Sequence, residues 1–259
     1  MEINETIIQL RKFIENQSKT SKKLTTYKAV SDLSHYFNEL GISVDLNKNK
    51  EIILQDETQI ELGGLNRKSF SLVYPSKELN QIEDGKITLL GPEIQEINES
   101  SVDFGFFLLI KVKSLSEQEY SNLRALNFIS NGIEGFLIRT IPRKFWCRIS
   151  KNVIKKNFSF EFLGNAIFYL YRQKFENLIE AMEVIFINSY PNLIDEFMRI
   201  ISEIIAHINY RWIQKIEKWR KRIDCEYDWA CEICPYQQEC YEVKQVLIER
   251  EKISNIHKN

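Results

Sequence analysis

Four cysteines towards the carboxyl end are the residues whose types and spacing point most directly to chemistry. Cys225, Cys231, Cys234 and Cys240 fall within sixteen residues, and Cys231 and Cys234 form a Cys-x2-Cys unit. Such a unit places two thiolates within reach of one metal or cluster, and a single cysteine on either side completes a four-sulfur shell. With no histidine close by in the sequence, we expect an all-sulfur site that holds a [4Fe–4S] cluster.

The identity of the metal stays open between iron–sulfur and zinc. Zinc sites usually pair two Cys-x2-Cys knuckles, whereas here one knuckle stands between single cysteines. Pro235 directly follows Cys234, an arrangement typical of Fe–S loops. A third alternative has no metal at all, but cysteines this dense in a charged segment have no core to enter. Because four cysteines saturate a four-iron cluster, a structural or electron-carrying role is favoured over a catalytic one.

Other candidate residues carry weaker signals. Cys147 stands alone between an aromatic residue and an arginine, and core packing is favoured there over an activated thiol. The basic residues of segment 211–222 form a stripe beside the cysteines, but acidic residues interrupt it. A solvated helix face is therefore favoured, and nucleic acid is not expected as a partner. Phosphate-loop, Rossmann, hydrolase-elbow and zincin motifs do not occur in the sequence.

Composition and charge set broad limits on the class of protein. The 259 residues are 44% hydrophobic and carry a formal net charge of -1, so no global field attracts nucleic acid or an anionic membrane. The chain is long enough to bury a core without disulfide or metal staples. No apolar run reaches the length of a transmembrane span, and the charged N-terminus does not resemble a secretory signal. We therefore expect a cytoplasmic protein without a membrane partner.

Hydrophobic periodicity divides the chain into three parts that must position these residues. Residues 1–48 are predicted to be a helical lead-in, with a second helix from Thr25 to Leu40 that stops at a glycine. Residues 49–189 contain short β-branched and aromatic runs between turn residues, which predicts an antiparallel sheet with flanking helices. Residues 190–259 are predicted to be a long helix followed by a small four-cysteine cluster module. The predicted fold class is α+β.

Three local patterns sharpen the predicted order of strands and helices. The run FGFFLLIKV, residues 104–112, is apolar on both faces and must be a central strand. Asp84 and Gly85 are predicted to form a hairpin turn. After Pro191 the helical pattern runs without Gly or Pro to about Ile223, which predicts one uninterrupted helix.

Three collinear motifs in the middle of the chain carry a family resemblance. They are the E-L-G-G turn at 61–64, the E-D-G-K-x-x-x-x-G-P-x-I segment at 83–94 and the W-x-R-I-S segment at 146–150. Over about residues 50 to 190 the chain resembles the middle domain of CO-methylating acetyl-CoA synthase. That protein is the β subunit of the carbon monoxide dehydrogenase and acetyl-CoA decarbonylase/synthase complexes of anaerobic bacteria and archaea.

The resemblance implies a coenzyme A site made of arginines and a tryptophan. The matching positions are Trp146 and Arg148, with Arg139 and Arg143 nearby. Guanidinium groups suit phosphates, and an indole can stack on adenine. The structural alternative is that Trp146 packs in the core and that Arg148 lies on a solvated face.

The same resemblance relates the cysteines to the nickel–iron–sulfur A-cluster of the family. Cys231 and Cys234 match its first cluster cysteines by position, Cys240 stands for the third, and Cys225 has no family counterpart. The Cys-Gly-Cys that holds the distal nickel is missing, and some fifty helical residues are expected in place of the N-terminal docking domain.

Two functions are hypotheses at this point, and whether the protein is an enzyme is left open. In the first, it is an iron–sulfur protein related to the β subunit, a divergent or accessory protein that handles CoA thioesters without the nickel A-cluster. Its activity as an enzyme would be of the acyltransferase type. In the second, it is a non-catalytic interaction module with a structural Fe–S or zinc four-cysteine site. Its partner would be another protein or a second copy, bound through the long helix.

Overall fold

The computed structural model describes residues 3–18, 23–47, 52–64, 66–141, 144–223, 241–242 and 245. Within these residues the chain forms nine strands in two sheets and eight α-helices. It divides into two compact units, Met1–Glu203 and Ile204–Asn259. The first unit contains both sheets, and the described part of the second is mainly the continuation of the last helix. The predicted boundaries near residues 48 and 189 stay a prediction.

The strands and helices are numbered in chain order. The strands are β1 Leu24–Lys28, β2 Thr58–Gly63, β3 Ser69–Ser76, β4 Lys86–Leu90, β5 Ser101–Val102, β6 Phe104–Val112, β7 Phe136–Ile141, β8 Lys144–Ser150 and β9 Ile179–Asn188. The helices are α1 Ile3–Ser18, α2 Leu33–Leu40, α3 Glu117–Arg124, α4 Asn127–Gly132, α5 Lys151–Ile154, α6 Phe160–Lys174, α7 Pro191–Ile200 and α8 Ser202–Ile223. None of these described helices combines the length and apolarity that a membrane span requires.

The larger sheet has five strands in the order β1-β4-β9-β6-β3. The pairs β1–β4 and β6–β9 are antiparallel, whereas β3–β6 and β4–β9 are parallel. The smaller sheet has the order β5-β2-β8-β7, with β2–β8 and β7–β8 antiparallel and β2–β5 parallel. The predicted single antiparallel sheet is therefore wrong, and two mixed sheets replace it. Apolar alternation reports which faces of a strand are buried, not the direction of its neighbours.

The predicted central strand is confirmed as β6, which is paired on both edges and covered on both faces. On one face Phe104 and Phe106 point into the main core, where they lie 6.3 and 5.9 Å from the ring of Phe186 on β9. On the other face the ring of Phe107 lies 5.7 Å from that of Phe197 on α7. A strand buried in this way carries apolar residues at every position, as this one does almost throughout.

The two sheets and α6 share one aromatic core. The ring of Phe104 stacks on Phe145 of β8 at 6.0 Å and on Phe160 of α6 at 6.1 Å. Ser159 caps α6 by accepting a hydrogen bond from the Phe162 N–H, which fixes where that helix begins. The small sheet is therefore held against the large one by side chains of its inner face.

The N-terminal segment is more varied than predicted, because the stretch from Thr25 is a strand and not the start of a helix. Its β-branched and aromatic residues pair as β1 with β4. Helix α2 begins only at Leu33, where the Asp32 side chain accepts a hydrogen bond from the His35 N–H. It ends at Gly41 with φ 62°, as predicted.

The predicted uninterrupted helix after Pro191 is instead two helices. Helix α7 ends at Ile200, and α8 begins at Ser202. Ile201 between them has φ -84° and ψ 9° and is fully buried. No Gly or Pro marks this turn in the sequence, so the helical periodicity alone could not reveal it.

The predicted hairpin at Asp84 and Gly85 is also wrong, since the turn leads into β4 from an irregular segment. Asp84 instead accepts hydrogen bonds from Arg172 at 2.6 Å and from the Met182 N–H at 3.0 Å. The turn thus joins α6 and β9 to the start of β4.

Candidate functional site

Three of the four predicted CoA-binding residues lie on the hairpin of the smaller sheet. Arg139 is on β7, and Trp146 and Arg148 are on β8. Side chains two residues apart on a strand, and those paired directly across strands, share one face. Arg139 is the direct partner of Trp146, so all three point to the same side of the sheet. We call this side, opposite the aromatic core, the outer face.

The register of the smaller sheet arranges the outer face in two rows. Residues within each row are direct partners on neighbouring strands. From β2 through β8 to β7, the rows are Gly63–Trp146–Arg139 and Glu61–Arg148–Leu137. An indole therefore lies between a glycine and an arginine, and a second arginine lies between a carboxylate and a leucine.

Arg148 is held by two acceptors and is not a solvated surface residue. Its Nε donates to Glu61 Oε1 at 2.8 Å, and its Nη1 donates to the Ile53 carbonyl oxygen at 3.3 Å. The side chains of Arg148 and Glu61 are 18% and 29% exposed, so the pair is partly shielded from water. The guanidinium is thus fixed on the outer face with part of its surface open.

Trp146 and Arg139 complete the exposed part of this arrangement. Trp146 is only half-buried, and the Arg139 side chain is exposed. Trp146 lies on the outer face, whereas its strand neighbours Phe145 and Cys147 take the fully buried positions of the aromatic core. The outer face therefore offers one indole surface, one guanidinium that is held by hydrogen bonds and one that is exposed to solvent.

The E-L-G-G motif fixes the position of β2 beside β8. Gly63 has φ 80°, and a Cβ atom there would lie 2.5 Å from the Phe145 carbonyl oxygen and 2.8 Å from Ser69 Cβ. Only glycine allows this approach and this conformation together. The contact holds β2, β3 and β8 together, and it keeps Glu61 opposite Arg148.

Comparison with known proteins finds a family whose matched range contains these motifs. The family model for the CO dehydrogenase/acetyl-CoA synthase complex beta subunit matches residues 41–192, more than half of the chain. The chain belongs to this beta subunit family. The resemblance predicted from the three motifs is thereby confirmed, and the outer face lies inside the matched range.

Similar proteins come from both archaea and bacteria. The acetyl-CoA decarbonylase/synthase complex subunit beta of Methanopyrus kandleri is 30% identical over 169 residues, 64% of this chain and 36% of that protein. Its counterpart in Methanothermobacter thermautotrophicus is 30% identical over 151 residues, 57% of this chain and 32% of that protein. The carbon monoxide dehydrogenase/acetyl-CoA synthase subunit alpha of Moorella thermoacetica is 29% identical over 157 residues, 59% of this chain and 21% of that protein. The chain thus spans about a third or less of the length of these relatives.

Glu61 is a residue of the site that nothing in the sequence alone marks as functional. It opens the E-L-G-G turn, and it lies 87 positions before the arginine that it binds. The signal that could have found it is a carboxylate in one of the three motifs of this chain and a guanidinium in another. The strand pairing that joins them cannot be read from either motif alone.

The segment that precedes β2 adds an apolar edge to the site in this family member. Ile53 is buried, whereas its neighbours Ile52 and Leu54 are 68% and 55% exposed. The Leu54 N–H donates to Glu57 Oε2 at 3.0 Å, and Leu54 O accepts from Thr58 Oγ1 at 2.8 Å. These bonds hold the segment beside Arg148, whose guanidinium reaches the Ile53 carbonyl.

Cys147 points away from the outer face into the core, as core packing predicts. It lines a cavity of about 10 Å³ whose other walls are apolar side chains of the two sheets, α4 and α6. A space of that size holds at most about one water molecule. Burial raises the pKa of the Cys147 thiol, so it stays protonated and unreactive.

The remaining predicted site residues lie outside the described residues. These are Arg143, Cys225, Cys231, Cys234 and Cys240. Within the part of the chain that the structure describes, no group of three or more His, Cys, Asp or Glu side chains is placed to hold a metal ion. The four-sulfur site therefore stays a prediction, and its cysteines also lie beyond the residues matched by the beta subunit family model.

Proposed function

We propose that this member of the beta subunit family binds coenzyme A or a CoA thioester on the outer face of the smaller sheet. The observation that carries this proposal is the pair of rows that sets Trp146 between Gly63 and Arg139, with Arg148 two residues along the same strand. The names of the relatives, which refer to acetyl-CoA decarbonylase/synthase complexes, support the choice of ligand.

Each of these groups suits a different part of coenzyme A. The half-buried indole of Trp146 offers a flat surface for the adenine ring. The exposed guanidinium of Arg139 suits a phosphate that stays in contact with water. Arg148 uses two of its five N–H donors on Glu61 and Ile53. Within the described residues its other donors have no protein acceptor, so they are available to a second phosphate.

We further propose a [4Fe–4S] cluster on Cys225, Cys231, Cys234 and Cys240, with zinc as the alternative. The chemistry of the donor set supports this, since four thiolates satisfy either centre completely. A saturated cluster would stabilise its module or carry electrons. It would leave CoA handling to the sheet, which fits a divergent or accessory protein better than a complete synthase.

A protein partner belongs to the same proposal. The similar proteins are named as subunits of carbon monoxide dehydrogenase/acetyl-CoA synthase or acetyl-CoA decarbonylase/synthase complexes. By analogy with these relatives, we expect this chain to bind another protein subunit.

Calorimetric titration with coenzyme A tests the site. We expect binding by the wild-type chain, and a loss of about tenfold in affinity for either Trp146→Ala or Arg148→Ala, because each removes a stacking surface or a charged donor. Arg199→Ala, which removes an arginine from α7, is the matched control and should leave the affinity unchanged. An absence of binding at millimolar coenzyme A would contradict the proposal.

One observation favours a second candidate function, a non-catalytic interaction module. Glu61 already neutralises Arg148, and Ile52 and Leu54 expose large apolar side chains beside it. A surface with an internal ion pair and an apolar edge also suits a protein partner. The same titration separates the two functions, because an interaction module would not bind coenzyme A.

A further inference from the structure

We propose that Glu61 is a positioning residue for the ligand, and this inference rests on the proposed coenzyme A site. Glu61 fixes the orientation of the Arg148 guanidinium, and its negative charge at the same time limits the affinity for phosphate. Neither effect depends on a contact between Glu61 and the ligand. The geometry of three features leads to this role: the donor that Glu61 takes, the rigidity of its backbone and the charge of the outer face.

Glu61 accepts a hydrogen bond from Nε, the guanidinium nitrogen closest to the backbone of Arg148. Its Oε1 accepts from Arg148 Nε at 2.8 Å, while the Ile53 carbonyl accepts from Nη1 at 3.3 Å. Nε is the nitrogen next to the aliphatic stem, so this bond leaves Nη2 and the second N–H of Nη1 at the far end. An arginine held at these two points keeps its guanidinium in one orientation, which lowers the entropy lost when a phosphate binds its remaining donors.

The backbone that carries Glu61 is itself fixed. Glu61 N–H donates to the Ser100 carbonyl oxygen at 2.8 Å, and Glu61 pairs with Ser101 of β5 on one side and with Arg148 on the other. Two residues later, Gly63 brings the backbone of β2 against the Phe145 carbonyl oxygen. The carboxylate is therefore presented from the middle of a sheet, and not from a loop that could adjust.

The charge of Glu61 acts in the opposite sense to its geometry. Arg139 and Arg148 carry two positive charges on the outer face, and Glu61 cancels one of them in a partly shielded environment. A ligand phosphate near Arg148 also experiences repulsion from the Glu61 carboxylate. Glutamine at this position would keep an oxygen acceptor for Nε and remove the charge, whereas alanine would remove both.

Titration of coenzyme A into the full-length chain and its Glu61 variants separates the two effects. We expect Glu61→Gln to bind as tightly as the wild type or up to several-fold more tightly, and Glu61→Ala to bind about tenfold more weakly. The double variant Glu61→Ala/Arg148→Ala should bind no more weakly than Arg148→Ala, since both act through one guanidinium. Pantetheine, which lacks phosphates, should bind Glu61→Ala and wild type equally.

The matched control is Glu180→Ala, which breaks an ion pair with Lys111 at 3.2 Å on the larger sheet and should not change the affinity. Urea unfolding of each variant shows whether the fold is kept, and Glu61→Gln serves as the test if Glu61→Ala does not fold. In that case, binding by Glu61→Gln weaker than that of the wild type would overturn the proposal.

If Glu61→Ala folds, two results would overturn the proposal for Glu61 alone. One is a coenzyme A affinity equal to that of the wild type. The other is a double variant Glu61→Ala/Arg148→Ala whose loss of affinity is the sum of the two single losses. Failure of the wild-type chain to bind coenzyme A would remove the proposed function and this inference together.

Discussion

Glu183 is a carboxylate in the middle of the larger sheet, and it is only 3% exposed. It accepts hydrogen bonds from Arg11 Nη2 at 2.8 Å and from the Glu83 N–H at 3.1 Å. Burial raises its pKa above the ordinary glutamate value, while the Arg11 guanidinium and the Lys86 ammonium act in the opposite direction. The Glu83 carboxylate nearby adds a smaller increase. The bond to Arg11 ties helix α1 to β9.

The raised pKa of Glu183 predicts a pH dependence of stability. In the interval between the unfolded and folded pKa values the folded chain binds more protons, so this residue's contribution to the free energy of unfolding falls as pH rises. Glu183→Gln removes that contribution. We therefore expect the stability of Glu183→Gln relative to the wild type to increase as the pH rises above about 4, the ordinary glutamate pKa.

Urea unfolding at several pH values measures this difference, with Glu180→Gln on the same strand as the control, because Glu180 is exposed. A difference between Glu183→Gln and wild type that stays constant with pH would contradict the assignment. The variant must be compared with the wild type because other carboxylates, such as Glu83, have lowered pKa values. Their contributions to the free energy of unfolding rise with pH, whereas that of Glu183 falls.

At the same scale, residue type and spacing predicted part of the candidate site. The alternation of β8 places Trp146 and Arg148 on one face, and the motif identified both of them. The role of Glu61 could not be predicted, because the pairing of β2 with β8 joins residues 87 positions apart. Local patterns predict which face a side chain takes, but they do not predict its partner across the sheet.

At the scale of elements, the E-L-G-G turn depends on a glycine for two separate reasons. Gly63 combines φ 80° with a Cβ position 2.5 Å from a carbonyl oxygen, whereas Gly41 at the end of α2 has φ 62° and nothing within 4 Å of its Cβ position. Gly41→Ala is expected to cost about 1 kcal/mol, the conformational term alone. Gly63→Ala is expected to cost about 3 kcal/mol, because overpacking adds to that term.

Urea unfolding of the two variants checks this prediction, with Gly41→Ala as the matched control. Equal losses would show that β2 and β8 can separate without cost, which would also weaken the argument for a rigid Glu61. Coenzyme A affinity should fall in Gly63→Ala and stay unchanged in Gly41→Ala.

A helix or strand could be predicted from the sequence where a single local pattern is enough to define it. The central strand β6 follows from its apolar residues on both faces, and the end of α2 follows from Gly41. The parallel pairs could not be predicted, because they depend on which distant strand comes to lie beside each edge. The break at Ile201 was missed for a related reason: a buried side chain, not a Gly or Pro, marks it.

At the scale of the whole molecule, the proposed CoA site and the predicted cluster lie in different compact units. The outer face belongs to Met1–Glu203, and the four cysteines fall within Ile204–Asn259. We therefore expect Cys231→Ser/Cys234→Ser in the full chain to lose bound metal and to keep its affinity for coenzyme A. The physical reason is that two of the four thiolates are lost, while no residue of the outer face changes.

Metal analysis and visible absorbance after anaerobic purification check the first part, since a [4Fe–4S] cluster is brown and zinc is colourless. Cys147→Ala is the control and should keep the metal, because that thiol is buried in the sheet unit. Metal retained in the double variant would contradict the cluster assignment. A parallel loss of coenzyme A affinity would contradict the expectation that the proposed CoA site does not need the metal.

The position of β9 has a consequence for how the chain folds during synthesis. It is the middle strand of the larger sheet, yet it is the last strand in the described sequence and ends at Asn188. Two strand pairs, β1–β4 and β3–β6, can form earlier in synthesis. No strand joins these two pairs until β9 has left the ribosome. Each of them leaves apolar edges unpaired, and such intermediates are prone to aggregate. The nascent chain is therefore expected to depend on chaperones until β9 has emerged.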